Sequence, residues 1–122
     1  TVHDATNGVI LIEGASNGTS NLMFADENDE DVGMLGYNHA SNYLALTVNA
    51  AERLRITSTG LIDASSNTSA VALPQGTTAQ RPSGSAPYIR KNTTNNALEY
   101  YDGTSWVEII TDYFPTGSTI FG

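Results

Sequence analysis

YIRKNTTNNALEYYDGTSWVEII, residues 88–110, reads as three short strands joined by two turns. The runs at 88–92, 97–101 and 105–110 are rich in aromatic and β-branched residues. Thr93-Thr94-Asn95-Asn96 separates the first two, and Asp102-Gly103-Thr104 separates the last two. Asp-Gly between two such runs is a strong hairpin signal, because both residues tolerate the positive φ that a tight hairpin turn demands. The stretch predicts a three-stranded antiparallel meander.

The same grammar extends toward the N-terminus. ERLRI, residues 52–56, alternates strictly, with Arg53 and Arg55 on one face and Leu54 and Ile56 on the other. That is the pattern of a half-buried strand. Further strands are expected at 9–13, 21–25, 32–37 and 43–48, each followed by a cluster of turn residues. Starts about 9 to 12 residues apart suit an antiparallel meander. Between the two strand-rich parts, residues 57–87 hold Gly60, Gly76, Gly84, Pro74, Pro82 and Pro87 among many Ser and Thr. This reads as an extended linker with short strands at 60–62 and 71–73. A structureless stretch of that length is unusual inside a compact domain and fits better along a shaft or around a neighbouring chain. The expected organisation is an N-terminal β module at 1–62, a linker at 63–86, a meander at 87–110 and a tail at 111–122 that carries Tyr113, Phe114, Ile120 and Phe121.

Composition agrees with an all-β reading. In 122 residues, 15 Thr, 11 Ser, 11 Asn and 11 Gly make up more than a third of the chain, while Lys and Arg together number 5. Ser, Thr and Asn compete for backbone hydrogen bonds and favour turns over helix interiors. Leu, Ile, Val and Phe total 26 residues, near the roughly 20% level below which chains tend to disorder. The apolar residues are nonetheless grouped, so identical neighbours are expected to supply the burial that one chain lacks. A formal net charge of -8 repels phosphate backbones and anionic lipid, which argues against nucleic-acid or membrane-surface partners. With no Cys, disulfides, thiolate nucleophiles and Cys-based zinc sites are excluded. Apolar runs such as Val9-Ile10-Leu11-Ile12 are too short to span a bilayer or form a signal core. The chain begins at Thr1, as expected of a processed protein or a piece of a longer one.

Two stretches carry more specific motifs. In residues 20–62, Phe24-Ala25-Asp26 precedes Val32-Gly33 and Tyr37-Asn38-His39. Asn49-Ala50-Ala51-Glu52-Arg53-Leu54-Arg55-Ile56 and Ser58-Thr59-Gly60 follow. In residues 73–109, Gly76-Thr77-Thr78-Ala79-Gln80-Arg81-Pro82 is followed by Leu98-Glu99-Tyr100-Tyr101-Asp102-Gly103 and Trp106. On these residues the chain resembles recurrent modules of tail-fibre and appendage proteins of tailed bacteriophages. The resemblance implies an elongated, intertwined, β-rich homotrimer on the virion, at the tail or capsid surface. Its implied partners are copies of itself, other virion proteins and, at a receptor-facing end, a host surface glycan. A tail fibre or a segment of one is the leading expectation; a head fibre, a capsid decoration protein or a glycan-binding receptor tip are the alternatives. The chain departs from the first module where Asn49-Ala50 replaces the usual Asn-Gly, which weakens the expectation of a tight turn there. Ala86-Pro87 replaces a Gly usual in the second.

The candidate site residues fall into four groups. Leu44, Leu46, Leu54, Ile56, Ile89, Leu98, Tyr100 and Trp106 are expected to form the trimer core, with Tyr100 and Trp106 as a cross-strand pair. Tyr88, Tyr101 and Tyr113 are candidate glycan contacts, since aromatic faces beside Asn and Asp can stack on sugars; Phe114 belongs to the same aromatic cluster. Asp26, Asn28 and Glu30 alternate like calcium ligands, but Asp31 and Tyr37 occupy the positions where a helix–loop–helix calcium loop needs Gly and Glu. The run 26–31 is better read as a solvated turn that Arg53 and Arg55 partly neutralise and that discourages edge-to-edge aggregation. His3 and His39 have no second ligand at metal spacing. No nucleophile elbow or carboxylate pair stands out, so no enzyme activity and no cofactor are expected. Three glycosylation sequons, at Asn17, Asn67 and Asn92, are what chance produces in so Asn/Thr/Ser-rich a chain.

Overall fold

The computed structural model describes residues 6–109. These form two compact units that divide between Ser69 and Ala70, inside the stretch read as a linker. The fold is all-β; a single turn of 3₁₀ helix, Thr78–Gln80, is the sole helical element among the described residues.

The first unit is a five-stranded antiparallel meander in sequence order: β1 (Thr19–Phe24), β2 (Gly33–Asn38), β3 (Tyr43–Val48), β4 (Ala51–Ile56) and β5 (Ile62–Asp63). The turns explain its registers. Asn49 and Ala50 both take positive φ, 54° and 56°, so a two-residue turn joins β3 to β4 even without Gly. Paired positive φ values match the right-handed twist of the flanking strands. Leu46 pairs with Leu54, but Thr47 pairs with Glu52, so Arg53 is the extra residue of a β-bulge. Arg53 therefore leaves the strict alternation expected of it, and its Nε donates to the Val48 carbonyl at 3.1 Å. Residues 9–13, expected to be the first strand, pair with no strand among the described residues. Their β-propensity is high, but a strand needs a neighbour.

The second unit is a four-stranded sheet in the order β6 (Gln75–Gly76), β7 (Tyr88–Asn92), β8 (Ala97–Tyr101) and β9 (Trp106–Glu108). β7, β8 and β9 are the expected antiparallel meander. The Asp102 carboxylate closes the second turn by accepting the N–H groups of Thr104 and Ser105, at 2.8 and 2.7 Å. These bonds hold its carboxyl below the ordinary range, the Ser105 amide contributing most. β6 lies parallel to β7, which the meander reading did not foresee. Of the short strands expected at 60–62 and 71–73, the first is met in part by β5; residues 71–73 form no strand, and β6 lies beyond them.

Candidate functional site

Register and alternation sort the first sheet into two unlike faces. Leu22 pairs with Leu35, Leu35 with Leu46 and Leu46 with Leu54; Tyr37 pairs with Leu44, Leu44 with Ile56 and Ile56 with Ile62. Phe24 and Val48 flank Gly33 on the same side, where a depression of about 410 Å³ opens. Side chains one residue apart point to opposite faces, so all these groups share one surface. Among the described residues nothing in the unit covers it: apart from half-buried Leu54, they remain 36 to 70 % exposed. At those exposures the face offers on the order of 800 Å² of apolar surface, above what monomers usually expose and close to one partner's share of a standard interface. Of the expected core residues, Leu44, Leu46, Leu54 and Ile56 all lie here. Leu22, Phe24, Leu35, Val48 and Ile62 join them; the alternation Leu22/Phe24 and Leu35/Tyr37 was the available signal.

The opposite face is mixed: Met23, Met34 and Ala45 lie among Asn21, Thr47, Glu52 and Arg55. Arg55 makes a two-pronged contact with Glu52, its Nη2 2.7 Å from Oε1, and lies 4.0 Å over the Tyr43 ring. The hydrogen bonds to Glu52 raise the Arg55 pKa further. Arg55 is thus committed within its own strand and not to the acidic turn. In that turn Asp26 Oδ1 accepts the N–H groups of Asn28 and Asp29, at 2.7 and 3.0 Å. Hydrogen bonding between the Asp29 and Asp31 side chains lowers the Asp29 pKa and raises that of Asp31. Among the described residues no three His, Cys, Asp or Glu side chains converge as a metal site. His39 Nε2 shares a 2.8 Å hydrogen bond with Ser20 Oγ, and its ring tilts against Tyr37 at 5.2 Å. His3, Tyr113 and Phe114 lie outside the described residues.

The second unit has a polar centre. Glu99, with its side chain 2 % exposed, accepts from Arg81 Nη2 at 2.8 Å and Nε at 3.2 Å, from Arg90 Nη1 at 2.7 Å and from Asn92 Nδ2 at 3.0 Å. Its pKa falls to about 2; the Arg81 hydrogen bonds do most, and those from Asn92 and Arg90 add to them against the opposing effect of burial. Residues read as linker supply the lid. Arg81 comes from the end of the 3₁₀ turn, the Thr77 carbonyl accepts Arg90 Nη2, and Thr78 Oγ1 accepts Asn92 Nδ2. At Gly76 an added Cβ would stand 2.6 Å from Arg90 Nη2 and 2.9 Å from Gln80 Oε1, so a side chain there would press on the guanidinium as it stands. The motif residues at 76–82 and 98–106 therefore meet around one carboxylate. The sequence signal was an Arg and a Glu at inward positions of two paired strands, Arg90 opposite Glu99.

Beside this cluster Tyr88, Tyr101 and Trp106 form a row across three strands. Tyr88 stacks at 6.0 Å on Tyr101, and Tyr101 tilts against Trp106 at 5.3 Å. The Arg81 and Arg90 guanidinium carbons lie 5.2 and 6.0 Å from the Trp106 ring centre. Trp106 thus pairs with Tyr101, and the expected Tyr100–Trp106 pair does not form. Tyr100 faces Val107 on the other side of the sheet, where it shares an exposed apolar surface with Ile89 and Leu98. The proposed core residues of this unit divide between two faces. Of the glycan candidates, Tyr88 and Tyr101 are half-buried against each other and Trp106.

Compared with models of protein families, with curated proteins and with solved structures, the chain matches none.

Proposed function

We propose that this chain is a structural segment of a homotrimeric fibre on a tailed-bacteriophage virion, a tail fibre that takes part in host attachment. The observation that carries the reading is the bare apolar face of the first sheet. Among the described residues Ala97 is the one buried apolar side chain, so hydrophobic burial must come from association. The fibre-module motifs name the partner as further copies of the chain. A second apolar surface at Ile89, Leu98 and Tyr100 supports packing along the length of the chain, and a rod of this kind works mechanically, by transmitting load between virion and host.

Light scattering behind a sizing column tests the proposal. The expected mass is three times the 12.9 kDa of one chain and stable on dilution. Leu46→Asp, at the centre of the face, is expected to yield single chains that retain the Trp106 environment of the second unit. A monomeric parent, or a Leu46→Asp variant that assembles like it, overturns the reading; a stable dimer overturns its three-fold symmetry.

A further inference from the structure

Each chain carries two halves of an unmade strand pairing. The first is the segment VILIE, residues 9–13. Val9, Ile10, Leu11 and Ile12 are 55, 73, 80 and 42 % exposed, and among the described residues no strand pairs with them. Four consecutive apolar residues, three of them β-branched, form a strand wherever a partner edge exists. The second half is the outer edge of β1, which among the described residues pairs only with β2. The His39 N–H donates to the Gly18 carbonyl at 2.9 Å, which fixes the alternation of the antiparallel ladder. From it, the N–H and C=O groups of Asn21 and Met23 point away from β2, along the outer edge of the sheet. A long, open, apolar edge strand is a template for another chain. The chain turns at residues 15–18, with the Gly18 N–H on the Ala15 carbonyl, and Gly14 approaches only the start of β1, at the Thr19 carbonyl and Ser20 Oγ, among the described residues.

The geometry points to strand exchange: residues 9–13 of one copy add to β1 of the next. This rests on the self-assembly proposed above and deepens it by naming the segment that joins the copies. The occupant is a second copy because the stoichiometry closes. Every chain donates one strand and accepts one, so a ring of copies leaves neither an exposed strand nor an open β1 edge, as a closed head-to-tail arrangement requires. The lengths agree, five residues against the six of β1. The added strand also prolongs the apolar face, since Leu22 and Phe24 lie on β1 and alternate residues of VILIE continue their row.

Hydrogen exchange on the full chain, read residue by residue, tests this beside the mass measurement. In the assembly the amides of Asn21 and Met23 are expected to exchange at least a hundredfold more slowly than open-edge amides. Ile10→Pro and Leu11→Pro, each of which removes a strand donor, are expected to erase that protection and to raise the concentration for half-dissociation at least tenfold. An assembly of stable mass whose Asn21 and Met23 amides exchange freely, or whose proline variants assemble unchanged, overturns strand exchange and leaves the fibre reading standing. Protection of both amides in a single-chain species shows the segment folding back on its own β1 and overturns both.

Discussion

Glu99→Gln keeps the volume of a buried side chain and removes its charge, and the structure sets the size of the effect. The carboxyl titrates near 2 in the folded chain instead of its ordinary 4.5. That difference corresponds to about 3 kcal/mol. Solvent lies a single layer of side chains away, beyond an Arg81 that is 30 % exposed, and screening by it reduces the expected loss at pH 7 to about 2 kcal/mol. The sign follows from a folded pKa below the unfolded one. The stabilisation is complete above pH 4.5, fades as the pH falls, and is gone below about 2, where both states hold the proton. The parent should therefore lose stability between pH 5 and 2, and Glu99→Gln should be nearly flat over that window in this respect. Trp106, the single Trp of the chain, sits beside both arginines and reports unfolding of the second unit by fluorescence. Denaturant titrations at pH 7 and pH 3, at one protein concentration, give the comparison. A variant as stable as the parent at pH 7, or one with the same acid-dependent loss, would refute the assignment of Glu99 as the charged centre of the unit.

Two further substitutions probe the backbone. Ala50→Gly relieves a left-handed residue at φ 56° and should stabilise the first unit by roughly 0.5 to 1 kcal/mol, read as a higher denaturation midpoint with an unchanged slope; a lower midpoint would contradict the turn geometry. Gly76→Ala places a methyl where Arg90 passes and should cost about 1 to 3 kcal/mol, with a shifted Trp106 emission. Unaltered fluorescence and stability would show that the guanidinium does not need that gap.

Where strands carry their own turn signals, the sequence was readable. The bounds Tyr43–Val48, Tyr88–Asn92 and Ala97–Tyr101 were expected to the residue, because alternating side chains and Asn- or Gly-bearing turns are local information. Leu44, Leu46, Leu54 and Ile56 could be assigned to one face for the same reason. What escaped was long-range. Gln75 to Arg81 has the Thr, Gly and Pro content of a linker, and its structure comes from Arg81 reaching Glu99, 18 residues away. A three-residue turn at 102–104 sets Tyr100 opposite Trp106; four residues separate Tyr101 from Trp106 in the structure, and that reverses which tyrosine meets the indole. Residues 9–13 show the converse: strand chemistry is local, but whether a strand forms depends on a neighbour.

The ring of donors around Glu99 also governs fidelity. A slip of β8 by one residue would turn Leu98 or Tyr100 inward and send Glu99 to the outer face. Arg90 and Arg81 would then face each other with no anion between them, a misfit that an aliphatic centre, tolerant of any greasy side chain, could never register. In a unit whose strands are short and alike, one buried carboxylate distinguishes the correct alignment from its near copies.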